Sequence, residues 1–271
     1  MSTVDPTLRT ANDSGFPLQI ALENQIRLTS EEHGWSVRYS EHSWSTGPGG
    51  QSGFIDMVLQ NRHHSTFAVV ECKRLRDTEW VFLHSDGRAP PERNAKGWIS
   101  HYAGGGMAHY GWVELAPYPQ SVEAHFCAIR GQSSSDRTNL LERVASELIT
   151  ATEALAAEER DWRHANTETI RFYLNVIVTT AELKVGTFDP LKVSLADGTM
   201  PDAEFVSVPF LRFRKQLSTR QMRFTPQQYD GQTNIPYLKQ HTVFVVRADA
   251  LPSFLREFHV PDSSLRQFDR P

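Results

Sequence analysis

The strongest constraint on this chain's fold is a pair of neighbouring apolar runs, each carrying an acid. Phe54–Gln60 and Thr66–Arg74 are β-prone and are separated by Asn61-Arg62-His63-His64-Ser65, the spacing of an antiparallel hairpin. Asp56 lies within the first run, and Glu71-Cys72-Lys73 ends the second. An unpaired charge in a strand interior is costly, so two acids in adjacent strands imply a shared environment that compensates them. Side chains alternate along a strand, which sends Glu71 and Lys73 to one face and Cys72 to the other. Antiparallel pairing across the short turn sets Asp56 near Glu71.

Two clustered carboxylates make a hard oxygen site of the kind Mg²⁺ prefers. A cation held there would polarise a phosphate or activate a water. Lys73 would orient that water or neutralise charge developing on the phosphoryl group.

The flanking sequence reads as mixed α/β. Residues 1–15 are polar and are expected to be a flexible lead. Pro17 to about Glu32 carries Leu18, Ala21, Leu22, Ile26 and Leu28 at helical spacing, and Gly34 ends the helix in a left-handed conformation. Trp35–Trp44 alternates as a strand, with Trp35, Val37 and Tyr39 on one side. Residues 77–120 form an irregular insert with a short helix expected near Arg93–Ala103. A strand is expected at Glu123–Arg130. Asp136 to about Trp162 is the clearest helix, with a stripe of Leu141, Val144, Leu148, Thr152 and Leu155, and Ser135 or Asp136 as its cap. Thr169–Ala181, Phe205–Arg214 and His241–Arg247 are further strands, with Pro209 pushing the second toward an edge or bulge.

Gly53-Phe54-Ile55-Asp56, fourteen residues, then Glu71-Cys72-Lys73 resembles the PD-(D/E)XK nuclease superfamily, and the preceding helix and strand match its usual order. The resemblance is confined mainly to residues 17–74, and Ile55 stands where the motif has proline. It implies a restriction-endonuclease-like core, αβββαβ, with a mixed central sheet flanked by helices. That core would span 16–185, and a strand-containing C-terminal extension, 186–271, would pack on it. It further implies Asp56 and Glu71 as metal ligands, the Cys72 carbonyl as another, Lys73 as the catalytic lysine, and Glu23 on the first helix as a further member. The implied cofactor is Mg²⁺, with Mn²⁺ able to substitute. The implied activity is phosphodiester hydrolysis in nucleic acid, DNA above all, by an endonuclease of the restriction or antiphage-defence type. A second copy or defence-system proteins are the associates expected by the same analogy. A non-catalytic nucleic-acid-binding or assembly module that retains the nuclease fold is the alternative.

Outside the motif, Arg74 and Arg76 follow it directly and are candidates for flanking phosphates. Arg212, Arg214, Lys215, Arg220 and Arg223 form an acid-free stretch with Phe213 and Phe224 interleaved, a candidate nucleic-acid contact. The formal net charge is −4, which argues against a protein that coats nucleic acid non-specifically. No histidine has zinc-type spacing, and the glycine-rich Gly47–Gly53 lacks the Gly-Lys-Ser/Thr ending of a P-loop. The two cysteines, Cys72 and Cys127, both lie in apolar runs and read as core residues of a reducing compartment. No apolar run approaches the roughly 20 residues that span a membrane, so a cytoplasmic location is expected.

Overall fold

The computed structural model describes residues 5–76, 78–85, 94–103, 106–131, 139–161, 169–217 and 239–265. The chain begins with helices α1 (Pro6–Asp13), α2 (Phe16–Leu28) and α3 (Ser30–His33), then strands β1 (Trp35–Ser45), β2 (Ser52–Asn61) and β3 (Thr66–Lys73). Strands β4 (Glu79–Ser85), β5 (Ala95–Ala103), β6 (Gly106–Leu115), β7 (Glu123–Ala124) and β8 (Phe126–Ile129) precede the long helix α4 (Leu140–Asp161). After it come β9 (Thr169–Thr179), β10 (Glu182–Phe188), β11 (Ala203–Ser207), β12 (Phe210–Gln216) and β13 (Gln240–Arg247). Helices α5 (Leu251–Glu257) and α6 (Asp262–Leu265) close the described chain.

The result is a mixed α/β protein with a mixed central sheet between helices. β1, β2 and β3 form an antiparallel meander. β9 then pairs parallel with β3 over its whole length, from Thr66↔Phe172 to Lys73↔Thr179. A parallel pair needs a crossover connection, and α4 lies in that crossover with Leu141, Val144, Leu148, Thr152 and Leu155 all buried. The other edge of β9 is shared: β5 runs antiparallel along residues 169–173, and β13 runs parallel along 175–179. A second, four-stranded sheet has the order β11-β10-β4-β8.

Being central, β9 is buried on both faces. Phe172, Leu174, Val176 and Val178 join Leu22 and Ile26 of α2 and Phe254 of α5 in one core, while Tyr173 and Ile177 join the α4 stripe in the other. The polar pair inside the second core is satisfied on one side: Thr152 Oγ1 donates to Asn175 Oδ1 at 2.6 Å.

Several sequence expectations are corrected. Most of the lead is helical, as α1. The helix expected near Arg93–Ala103 is strand β5, because pairing with both β6 and β9 satisfies its backbone along two edges. The Glu123–Arg130 strand divides at His125, with β7 joining the main sheet beside β12 and β8 joining the second sheet beside β4. Phe205–Arg214 divides likewise at Val208-Pro209, since proline lacks the N–H that a ladder requires, and β11 and β12 go to different sheets. β12 and β13 therefore continue the central sheet beyond β9. In β1 the register shifts between Val37 and Tyr39. A bulge of this kind turns the following side chains over, so Tyr39 packs on the α4 side and Val37 on the α2 side. The start of α4 is capped by Asn139, whose Oδ1 accepts from the Leu141 N–H at 2.9 Å; Ser135 and Asp136 lie outside the described residues. Gly34 ends α3 at φ 75 as expected.

Candidate active site

The β2–β3 ladder ends at Met57↔Val70. One further step would set Asp56 opposite Glu71, and there the two strands part. Asp56 uses the gap: its Oδ2 accepts from the Cys72 backbone N–H at 2.6 Å. The strand edge thus holds the acid in place. Glu71 and Lys73 share the α4 side, as alternation requires, and Lys73 Nζ donates to Glu71 Oε1 at 2.5 Å. Among the described residues, Asp56 Oδ1 and Glu71 Oε2 have no hydrogen-bond partner.

Both acids are electrostatically strained. Burial raises the Asp56 carboxyl above the ordinary aspartate range; the Cys72 N–H and Lys73 oppose this, and the charges of Glu41 and Glu23 add to it. Burial first, then the Asp56 charge, push Glu71 up to about 6 against the pull of Lys73. Burial works against the Lys73 ammonium, but the Glu71 carboxylate outweighs it and the net shift is upward. Lys73 is therefore a cation at neutral pH.

Glu23 joins the group from α2. It is 9% exposed, accepts from Ser40 Oγ, and takes a 3.2 Å ion pair from Arg27. Gln19 links it to the strand by donating both to Glu23 Oε1 at 3.3 Å and to the Asp56 carbonyl at 3.1 Å.

Four participants escaped the sequence reading. Gln19 sits one helical turn before Glu23, a spacing that was legible. Nothing in the alternation of β1 marks Ser40 as a partner of Glu23. Glu41 carries φ 49, which a strand pattern does not foretell. Glu147 is one of several glutamates along α4 that no helical spacing singles out, and its charge acts on both Glu71 and Lys73.

A cleft of about 400 Å³ opens between the β1–β2 arm and α4, lined by Trp44, Phe54, Glu71, Glu147 and Thr150. Phe54 stands 63% exposed at its edge.

The remaining candidates are placed as follows. Arg74 and Arg76 reach the surface and both pair with Asp13 of α1. Arg212 is fully buried, donating to the carbonyls of Pro117 and Pro119 at 2.8 and 2.9 Å, with its guanidinium over the Phe244 ring. Arg214 is buried and paired with Glu114 at 2.5 Å, and Lys215 pairs with Glu142. These three were expected at a nucleic-acid surface. In β12 Arg212 and Arg214 are buried, whereas Lys215, on the opposite face of the strand, stays partly exposed. Arg220, Arg223 and Phe224 lie outside the described residues.

Burial, then the Asp56 charge, raise the Cys72 thiol well above the ordinary range; burial, then Glu142, raise that of Cys127. Neither thiol is an activated nucleophile. No group of three or more His, Cys, Asp or Glu side chains arranged to hold a metal occurs among the described residues, so the donor set on offer is two carboxylates with main-chain oxygen. Among the described residues no helix is long and apolar enough to cross a membrane.

The fold and cluster define a mixed α/β protein with two coupled acids and an ammonium group where two central strands part. No family model, curated protein or solved structure matches the chain.

Proposed function

We infer that the chain is a metal-dependent nuclease of the PD-(D/E)XK kind, acting on DNA as an endonuclease. The observation that carries this reading is the Asp56–Glu71–Lys73 cluster at the parting of β2 and β3. Part of the element order supports it: α2 and the meander β1–β3, then, after the inserted strands β4–β8, the crossover helix α4 and β9 parallel to β3.

The donor chemistry fits a divalent cation. Burial opposes ionisation of both acids, the Asp56 charge adds to it at Glu71 and the Glu41 and Glu23 charges at Asp56; each acid keeps one oxygen without a partner, and a divalent charge would relieve the repulsion. Asp56 and Glu71 would hold Mg²⁺ or Mn²⁺ with the Cys72 carbonyl, and Glu23 would support Asp56 from behind. When bound, the cation supplies Lewis acidity toward a phosphodiester and lowers the proton affinity of water.

The chain's own groups do the rest. The Cys72 N–H fixes the orientation of Asp56. Lys73, kept cationic by Glu71, offers its charge to the phosphoryl oxygens and positions an attacking water. Glu147 adds negative charge to the cleft wall, which disfavours binding of a phosphate without a cation. Phe54 presents an open ring face on which an unpaired base can stack.

The test is nicking of supercoiled plasmid in Mg²⁺ or Mn²⁺. The wild type is expected to nick, while Asp56→Ala and Lys73→Ala lose activity by at least the roughly hundredfold typical of removing one electrostatic or acid–base group. Equal nicking by all three proteins would refute the assignment. Running single- and double-stranded DNA and RNA side by side identifies the substrate.

A further inference from the structure

Helix α1 is held to the protein in an unusual way. It has no buried residue, and its one large apolar side chain, Leu8, is 54% exposed. Gly15, at φ 84, joins it to α2 in a backbone conformation that glycine adopts without strain. Its link to the sheet is ionic: Asp13 Oδ1 lies 2.7 Å from Arg76 Nη2 and 3.5 Å from Arg74 Nη1. Two guanidinium groups thus converge on a single carboxylate oxygen.

The platform beneath those arginines is fixed. Between them, the Leu75 N–H donates to Thr180 Oγ1 at 2.8 Å, and that hydroxyl donates back to the Leu75 carbonyl at 2.7 Å. The Thr180 N–H donates to the Lys73 carbonyl at 3.2 Å. The two arginines therefore leave a clamped backbone immediately after the candidate catalytic lysine. A phosphodiester carries the same single negative charge as a carboxylate and offers oxygens to the same donors.

We propose that Arg74 and Arg76 form a subsite for a backbone phosphate flanking the scissile bond, and that Asp13 is its internal occupant, displaced when nucleic acid binds. The identity of the anion as nucleic-acid phosphate rests on the nuclease reading; the two-arginine anion site itself does not. Displacing α1 exposes little apolar surface, because α1 buries none of its residues, so the exchange is ionic and salt-sensitive.

The test is binding without turnover: anisotropy of a fluorescein-labelled DNA duplex, titrated with the full chain in EDTA. Asp13 also lies 3.9 Å from Arg9 within α1; Asp13→Asn is expected to bind about 2- to 30-fold more tightly than wild type, the effect of releasing the Arg74 and Arg76 pairs. The same substitution in an Arg74→Ala/Arg76→Ala background is expected to change nothing. Asp202→Asn, which neutralises an exposed acid paired with Lys192, controls for net charge and is expected to match wild type. In the Asp13→Asn background, removing both arginines is expected to reduce the salt dependence by about 0.9 in log–log slope for each phosphate that is no longer neutralised. Unchanged affinity on Asp13→Asn, an equal gain without the arginines, or an equal gain from Asp202→Asn each overturns the proposal. A chain that shows this pattern but never cleaves refutes the nuclease reading alone; one that cleaves without it refutes the subsite alone.

Discussion

Acid should destabilise this protein through one histidine. His241 on β13 is 1% exposed, and its ring meets the Trp112 indole edge-on at 4.6 Å. Among the described residues, neither ring nitrogen has a hydrogen-bond partner. The charged groups around it are Lys96 from β5 and Arg214 from β12, the latter paired with Glu114 from β6. Burial, then Lys96 and Arg214, depress its pKa from 6.5 to about 3. The neutral ring is the native form. Above pH 6.5 the folded and unfolded chains bind the same number of protons at this site, and its contribution to stability is constant. Below 6.5 the unfolded chain takes up a proton that the native chain refuses until about pH 3, so stability falls as pH falls across that window.

At about 1.4 kcal/mol per pH unit, the full depression from 6.5 to about 3 is worth about 5 kcal/mol, of which about 2.7 kcal/mol is lost by about pH 4.5. His241→Phe keeps a ring of similar size that cannot protonate, and near neutrality it should match wild type within about 1.5 kcal/mol. Urea unfolding followed by circular dichroism from pH 7.5 to 4.5 measures the difference between the two proteins. Taking that difference cancels the other titrating groups, including Glu71, whose raised pKa contributes with the opposite sign. Lys96, held down to about 8 by burial, titrates above the window. The two proteins should diverge steadily as the pH drops below 6.5. Parallel stability profiles would refute the reasoning.

Two further outcomes are expected. Mn²⁺ at about a hundred times its dissociation constant should stabilise the wild type by about 2.7 kcal/mol and leave Asp56→Asn unmoved; in EDTA the variant should be no less stable than wild type, because it relieves the repulsion on Glu71. Differential scanning fluorimetry with and without metal checks both. Glu159, 7% exposed, accepts from Tyr173 at 2.5 Å and pairs with both Arg171 and Arg38, and these partners hold its carboxyl below the usual range against the opposing effect of burial. Glu159→Gln should therefore lose roughly 3 kcal/mol near neutral pH by leaving two arginines without their counter-ion. That deficit should shrink as the wild type is acidified below the ordinary glutamate range and through the depressed value, as urea titration at several pH values would show.

The elements legible in the sequence are those whose reasons are local. The α4 stripe is written at helical spacing, the β2–β3 hairpin in two β-prone runs around a polar turn, and the stop at Gly34 in a residue free to take positive φ. The same period-two logic placed Glu71 and Lys73 on one face. Where a residue's environment comes from distant strands, the pattern misled. Residues 95–103 carry no clean alternation, and they are a strand because β6 and β9 border them. The arginines of β12 look like a basic surface in a one-dimensional reading, yet the strand lies between β13 and β7, and this turns Arg212 toward the carbonyls of Pro117 and Pro119.

The chain by itself determined which residues can carry charge into a strand, because burying Asp56 and Glu71 makes physical sense only where the two can share a compensating partner. Tertiary structure decided what surrounds them. The parting of β2 from β3 frees the Cys72 N–H for Asp56, α2 swings Glu23 and Gln19 in from one side, and α4 brings Glu147 from the other. None of these approaches has a sequence period, since each depends on how helices separated by tens of residues settle on opposite faces of one sheet.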